Sequence, residues 1–146
     1  MIPDDPAHRL PTDGPQRGDG LRILIAEPNS FFAQDMLAGL KEAAPGVRSA
    51  TFPSIASLRQ HLGRIVDSDA AEGAGLGHDR LVIIVSDTLA EVRAAGLDQE
   101  IDRLRGRLVM VQGYDSDAEL TAAGVLVLAT PFTPAALARL VDILLR

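Results

Sequence analysis

Leu81–Val85 reads LVIIV, five consecutive apolar residues that are followed by the polar pair Ser86 and Asp87. A run that is apolar at every position predicts a strand buried on both faces, as in the centre of a parallel sheet. A second run, LRILIA at Leu21–Ala26, is mostly apolar, with Arg22 as its one charged residue, and is stopped by Pro28. We therefore expect these two segments to be buried strands of one parallel sheet.

Weaker apolar segments extend this sheet on both sides. Three further strands are predicted, at Val47–Phe52, Leu108–Val111 and Val125–Leu128. Helical periodicity follows each strand, and Ser30, Ser116 and Thr133 are in position to cap three of the helices. Parallel strands need crossover connections, so five strands alternating with five helices predict a doubly wound α/β sheet with helices on both faces.

Polar and glycine-rich stretches mark the predicted connections. Met1–Gly20 is predicted as a disordered tail, which leaves Leu21–Arg146 as the single folded domain. Asp67–Asp79, DSDAAEGAGLGHD, is predicted as a long flexible connection. Between the third and fourth strands the spacing of apolar residues predicts one helix, which ends before Gly106 and carries Leu97, Ile101 and Leu104.

Composition excludes several classes of function. The chain has 14 basic and 20 acidic residues and a net charge of −6, which disfavours nucleic acid as a partner. It has no cysteine, so disulfides, thiolate metal sites and cysteine nucleophiles are excluded. No pair of histidines has ligand spacing; the three are His8, His61 and His78. No apolar run approaches the ~18 residues of a membrane span, and we expect a cytoplasmic protein.

Three stretches carry a resemblance to a known family: ILIAEPN at Ile23–Asn29, VIIVSDTL at Val82–Leu89 and LATPFTPAALARLVDILL at Leu128–Leu145. Together they resemble the receiver domains of two-component response regulators over almost all of Leu21–Arg146. The resemblance implies a flavodoxin-like sheet with strand order 2-1-3-4-5. It also implies that the functional residues gather at the carboxyl ends of the strands.

Receivers accept a phosphoryl group on an aspartate after the third strand, beside a divalent cation held by acidic residues. Asp87 matches the acceptor, with Ser86 as a rival one position earlier. Glu27 matches the first acidic position after the first strand, but Pro28 stands where a second carboxylate is expected. Glu27 and Asp87 are thus weak candidates for metal ligands.

The remaining positions of the pocket depart further from the family. Gln112 replaces a serine or threonine, Thr130 replaces the lysine, and Pro131 matches a proline that follows a cis peptide. Val127 stands where many receivers have a tyrosine or phenylalanine. Removing a preorganised charge partner from a transition state costs ~3 kcal/mol, or roughly 10²-fold in rate. Because a carboxylate and the lysine are both absent, we expect a pseudo-receiver that is not an enzyme and needs no cofactor.

Structural explanations of the same residues remain open. Glu27 could be a solvated residue at a strand end, and Asp87 could cap the following helix. Three arginines lie near the predicted helix end: Arg103, Arg105 and Arg107. They could form a phosphate-binding patch, but cations at a helix C-terminus also interact favourably with the helix dipole. Phe31 and Phe32 cannot both face inward on one helix, so one of them is either an anchor for a partner or a staple of the helix start.

With one predicted domain ending at Arg146, we expect a stand-alone module that signals by contact with a histidine kinase, another regulator or a second copy as a homodimer. The expected interaction surface is formed by the last strand and helix: Val127, Leu137, Val141, Ile143 and Leu144. Two alternatives stay open. One is a phosphorylatable single-domain response regulator that uses Mg²⁺ and Asp87, and the other is a small-molecule binder at the strand ends.

Overall fold

The computed structural model describes residues 16–72 and 80–146. The described strands are β1 (Leu21–Ala26), β2 (Arg48–Phe52), β3 (Arg80–Val85), β4 (Arg107–Val111) and β5 (Leu126–Leu128). The described helices are α1 (Ser30–Ala43), α2 (Ile55–Glu72), α3 (Leu89–Ala94), α4 (Leu97–Arg103), α5 (Asp117–Ala123) and α6 (Pro134–Leu144). The strands form one parallel sheet in the order β2-β1-β3-β4-β5, which confirms the predicted fold class.

The central strands divide their side chains between two cores. In β1, Ile23 and Ile25 face a core shared with α1 and α6, whereas Leu24 and Ala26 face a core shared with α2, α3 and α4. Every residue from Leu81 to Val85 in β3 is buried. Since successive side chains of a strand point to opposite faces, a continuously apolar strand suits a sheet that is covered on both sides.

The N-cap of helix α1 lies one residue earlier than predicted. Asn29, not Ser30, is the N-cap: its Oδ1 accepts the backbone N–H groups of Phe31 at 2.9 Å and Phe32 at 3.2 Å. Asparagine and serine cap equally well, so the residue that keeps the extended backbone conformation decides. The caps predicted at Ser116 and Thr133 are confirmed.

Two connections differ from the prediction. Helix α2 continues to Glu72, so residues 67–72 are helical and only the remainder of the predicted loop, 73–79, lies outside the described residues. The alanines and glutamate at its end favour continuation of a helix that is already formed. Between β3 and β4 there are two short helices instead of one, separated at Gly96, whose φ of 71° is left-handed. The chain therefore has six described helices where five were predicted.

The part of the predicted tail that the structure describes, residues 16–20, forms a turn against the end of α1. The N–H of Gly46 donates to the carbonyl of Arg17 at 2.8 Å, and Leu21 donates to Gly18 at 2.9 Å. Gly18 has a φ of +92°, and a Cβ there would overlap Ala44. This close approach requires glycine. The prediction for residues 1–15 concerns residues outside the described ranges.

Candidate functional site

The residues after β1, β3, β4 and β5 meet at the carboxyl edge of the sheet but line two separate clefts. The larger, with a volume of about 520 Å³, is bordered by four of the predicted positions: Glu27, Gln112, Thr130 and Pro131. The smaller, of about 230 Å³, is bordered by Pro28, Ser86 and Asp87. The predicted receiver pocket is thus assembled at the expected edge but divided.

Glu27 is buried, with only 7% of its surface exposed, so its interpretation as a solvated residue was wrong. Its backbone N–H donates to the carbonyl of Phe52 at 2.9 Å, which continues the pairing of β1 with β2 by one residue. The side chain therefore starts inside the edge of the sheet. Its Oε2 accepts the N–H of Asn29 at 3.3 Å, and Glu27 forms no ion pair within residues 16–72 and 80–146.

Asp87 is half-buried and is the first carboxylate beyond β3. Ser86 is buried and still paired with the sheet, because its N–H donates to the carbonyl of Ala26 at 3.0 Å. Asp87 Oδ1 accepts the N–H of Thr88 at 2.7 Å. Thr88 is the N-cap of α3, since its Oγ1 accepts the N–H of Glu91 at 3.2 Å. The alternative that Asp87 itself caps this helix was therefore wrong, although it binds the N–H of the capping residue.

Asp115, which the sequence analysis missed, also binds the start of α3. Its Oδ2 accepts the N–H of Leu89 at 2.7 Å. The two residues are 26 positions apart, so neither spacing nor periodicity connects them. The β4–α5 loop is thereby held against the loop that carries Asp87.

Gln112 and Thr130, two of the substituted positions of the receiver pattern, bind each other. The Thr130 N–H donates to Gln112 Oε1 at 3.2 Å, and Thr130 Oγ1 donates to the Gln112 carbonyl at 3.1 Å. Gln112 Nε2 also lies 3.3 Å from both carboxylate oxygens of Asp117. The Thr130–Pro131 peptide is cis, as the resemblance implied. These side chains close the β4 and β5 loops on each other.

Tyr114 is the second residue of the site that the sequence analysis missed. Burial raises the pKa of its phenol above 10.0, and the negative charges of Glu27 and Asp87 raise that pKa further. The nearby hydroxyl of Ser86 lowers the pKa of Tyr114. Within the described residues, however, Ser86 Oγ has no hydrogen-bond partner with acceptable distance and angles. Tyr114 is 48% exposed and borders the larger cleft together with Glu27. A signal was present, since Tyr114 is the only tyrosine and follows Gly113 at a strand end.

Apolar side chains form most of the wall of the larger cleft. They come from α1 and from the loops after β4 and β5: Phe32, Met36, Val111, Tyr114, Pro131 and Phe132. The charged residues of this wall are Glu27 and Asp35, and no lysine or arginine of the described part of the chain borders it. Lys41, the only lysine of the chain, lies in the last turn of α1. Helix α1 leads away from this edge of the sheet, so Lys41 lies about 16 Å along the helix axis from Ser30, the first residue of α1.

The acidic groups do not fit the magnesium site of a receiver. Mg²⁺ requires near-octahedral oxygen coordination, usually with carboxylates. Pro28 offers no side-chain oxygen, and within the described residues no three acidic or histidine side chains are grouped as metal ligands. Glu27 and Asp87 border different clefts. We derive no chemical step through a metal.

The predicted interaction surface is only partly at the surface. Val127 is 38% exposed and Ile143 is half-buried, but three further members of the set belong to the core: Leu137, Val141 and Leu144. Helix α6 packs on α1 as well as on the sheet, and a Cβ at Gly39 of α1 would overlap Leu137. The second contact explains why the apolar stripe of α6 is wider than one sheet face requires.

The two adjacent phenylalanines of α1 are both on the surface. Phe31 is 81% exposed and Phe32 is 53% exposed. Phe32 borders the larger cleft, whereas Phe31 does not.

No helix within residues 16–72 and 80–146 has both the length and the apolar character that crossing a bilayer requires.

The chain matches no protein-family model and no curated protein sequence. It is similar in structure to a protein of Burkholderia pseudomallei that is called a "putative pilus assembly-related protein". The two share 22% sequence identity over 86% of this chain and 90% of that chain, with a TM-score of 0.59. At this identity the likeness shows a shared fold alone, and the resemblance to receivers rests on the strand-end residues.

Proposed function

We propose that this chain is a receiver-like signalling module that acts through protein contact and is not efficiently phosphorylated. The observation that carries the proposal is the pair of hydrogen bonds between Gln112 and Thr130. In the resemblance, these positions would supply a hydroxyl and a lysine ammonium to the phosphoryl group. Here they are occupied with holding two loops together.

The charge of the site supports the same conclusion. A phosphoryl group in transfer carries negative charge that the protein must neutralise. The larger cleft is bordered instead by Glu27 and Asp35, and no basic side chain within residues 16–72 and 80–146 borders either this cleft or the smaller one beside Asp87. Each missing charge partner costs ~3 kcal/mol, so the loss of two is compatible with at most slow phosphorylation.

Contact with other proteins is the remaining route for a signal. The exposed Val127 and the half-buried Ile143 border a groove of about 230 Å³ between β5 and α6, which we propose as the homodimer face. The name of the structural neighbour is compatible with a regulatory module in the assembly of a surface appendage. A histidine kinase or another regulator would fit the same proposal as a partner.

Intact mass spectrometry after incubation with Mg²⁺ and acetyl phosphate tests the proposal. We expect no phosphate-sized gain in mass under conditions that fully phosphorylate an ordinary receiver run in parallel. A gain that Asp87→Asn abolishes would contradict the proposal and favour a phosphorylatable response regulator. A gain that persists in Asp87→Asn would indicate modification elsewhere.

A further inference from the structure

We propose that the larger cleft binds a cationic side chain, an arginine or a lysine, that a protein partner presents between apolar residues. The inference rests on the proposed function, because it names the chemistry of the partner that such a contact module would recognise. It concerns a surface different from the β5–α6 groove.

First, Glu27 borders the larger cleft and is a buried residue, with 7% of its surface exposed. Its Oε2 accepts one hydrogen bond of 3.3 Å. No arginine, lysine or histidine among the described residues pairs with it. A cation that enters the cleft would therefore gain an ion pair, partly shielded from water, that the isolated chain does not make with Glu27.

The second step is the wall of the cleft. Phe32, Tyr114 and Phe132 place three aromatic rings around the same space as the carboxylates of Glu27 and Asp35. Aromatic faces attract ammonium and guanidinium groups, and they also pack against the methylene stem of a long basic side chain. The combination is complementary to a positive charge on an apolar stem.

The third step is exclusion of other occupants. An acidic or phosphorylated segment would meet two carboxylates and, among the residues that the structure describes, no basic group on the cleft wall. A bare divalent ion would find too few ligands, since no set of three suitable side chains is grouped in the described residues. A purely apolar segment would leave Glu27 buried without a counter-charge.

Tyr114 provides the measurement. It borders the cleft and is the only tyrosine in a chain without tryptophan, so intrinsic fluorescence reports on this site alone. The probe is a short blocked peptide with one arginine between two leucines, titrated into the full chain. The matched probe has citrulline, which keeps the shape and removes the charge. We expect saturable binding of the arginine peptide that weakens with salt, and roughly tenfold weaker binding of the citrulline peptide.

Two variants of α1 complete the test. Asp35→Asn removes an exposed carboxylate of the cleft, and Glu42→Gln removes one on the same helix, seven positions later and in its last turn. Both change the net charge equally, and neither side chain is buried, so both variants should fold. We expect Asp35→Asn to weaken binding of the arginine peptide about three- to tenfold and Glu42→Gln to leave it unchanged.

Three results would overturn the proposal: no saturable binding of the arginine peptide, equal affinity for both peptides, or equal effects of both variants. A change of Tyr114 emission with protein concentration alone would assign the cleft to a second copy, and would overturn the assignment to a separate partner. The intact-mass experiment measures phosphorylation of Asp87, which borders the smaller cleft, and requires no peptide in the larger one. A failure here without phosphorylation of Asp87 would therefore leave the proposed function standing.

Discussion

At the scale of single residues, the phenol of Tyr114 reports the charge of the site. Burial is the largest cause of its raised pKa, and Glu27 and Asp87 are the next two. These three residues follow three different strands, so the raised pKa of Tyr114 depends on the fold that brings the ends of those strands together. Loss of either carboxylate should lower it.

We expect the spectroscopic titration of tyrosinate in the folded chain to have its midpoint above 10.0. Asp87→Asn should move the midpoint down towards 10.0 without reaching it, because burial remains. The control is Glu91→Gln, which removes an exposed carboxylate of α3. An unchanged midpoint in Asp87→Asn would show that this carboxylate does not face the ring.

The same shift has a defined effect on stability. The unfolded chain releases the phenolic proton near pH 10, whereas the folded chain still holds it. The folded state then binds more protons than the unfolded state, so the free energy of unfolding falls as pH rises from about 10 towards the folded pKa. Tyr114→Phe should remove this part of the pH dependence in urea unfolding measured across that range.

At the scale of elements, the start of α1 depends on one side chain. Asn29 Oδ1 accepts two backbone N–H groups, whereas Ser30 is already the first residue of the helix. This helix also carries Phe32, Asp35 and Met36 into the larger cleft. The hydrogen bonds of the Asn29 cap therefore stabilise the same helix start that positions the cleft-lining side chains of α1.

We expect Asn29→Ala to lower the free energy of unfolding by about 1 kcal/mol, because two N–H groups lose their partner. Ser30→Ala, at the position that the sequence alone indicated, should change it by less than about 0.5 kcal/mol. Urea unfolding followed by circular dichroism measures both. Equal losses in the two variants would contradict the assignment of Asn29 as the cap.

At the scale of the whole molecule, the two edges of the sheet differ in charge. Acidic residues gather at the carboxyl edge, among them Glu27, Asp35 and Asp87. Arginines begin strands at the opposite edge: Arg48, Arg80 and Arg107. The proposed homodimer face lies on neither edge, because Val127 and Ile143 are on the side formed by β5 and α6.

Self-association through this face should depend on Val127. We expect light scattering to show a mass that rises with concentration for the original chain, and a monomer for Val127→Asp. A symmetric interface would place the new carboxylate in it twice. Phe31→Asp alters an even more exposed apolar residue outside the groove and should leave association unchanged. A monomer at all concentrations for the original chain would contradict the proposed dimer.

The sequence by itself determined the class of fold and the edge at which the site forms. The run at Leu81–Val85 is apolar at every position and the run at Leu21–Ala26 at every position but Arg22, which favours cover on both faces and hence parallel strands with helical crossovers. Glu27, Gln112 and Thr130 follow from this, because they come directly after strands. These inferences need only local periodicity and chain order.

The tertiary structure decided which of those side chains meet and what they do. It buries Glu27, pairs Gln112 with Thr130, and places Tyr114 in the same cleft as Glu27. It also turns three of the predicted surface residues of α6 into core. The physical reason is that hydrogen bonds and burial depend on distances between residues far apart in the chain. Hydrophobic periodicity depends only on residues close together in the sequence, so it does not contain those distances.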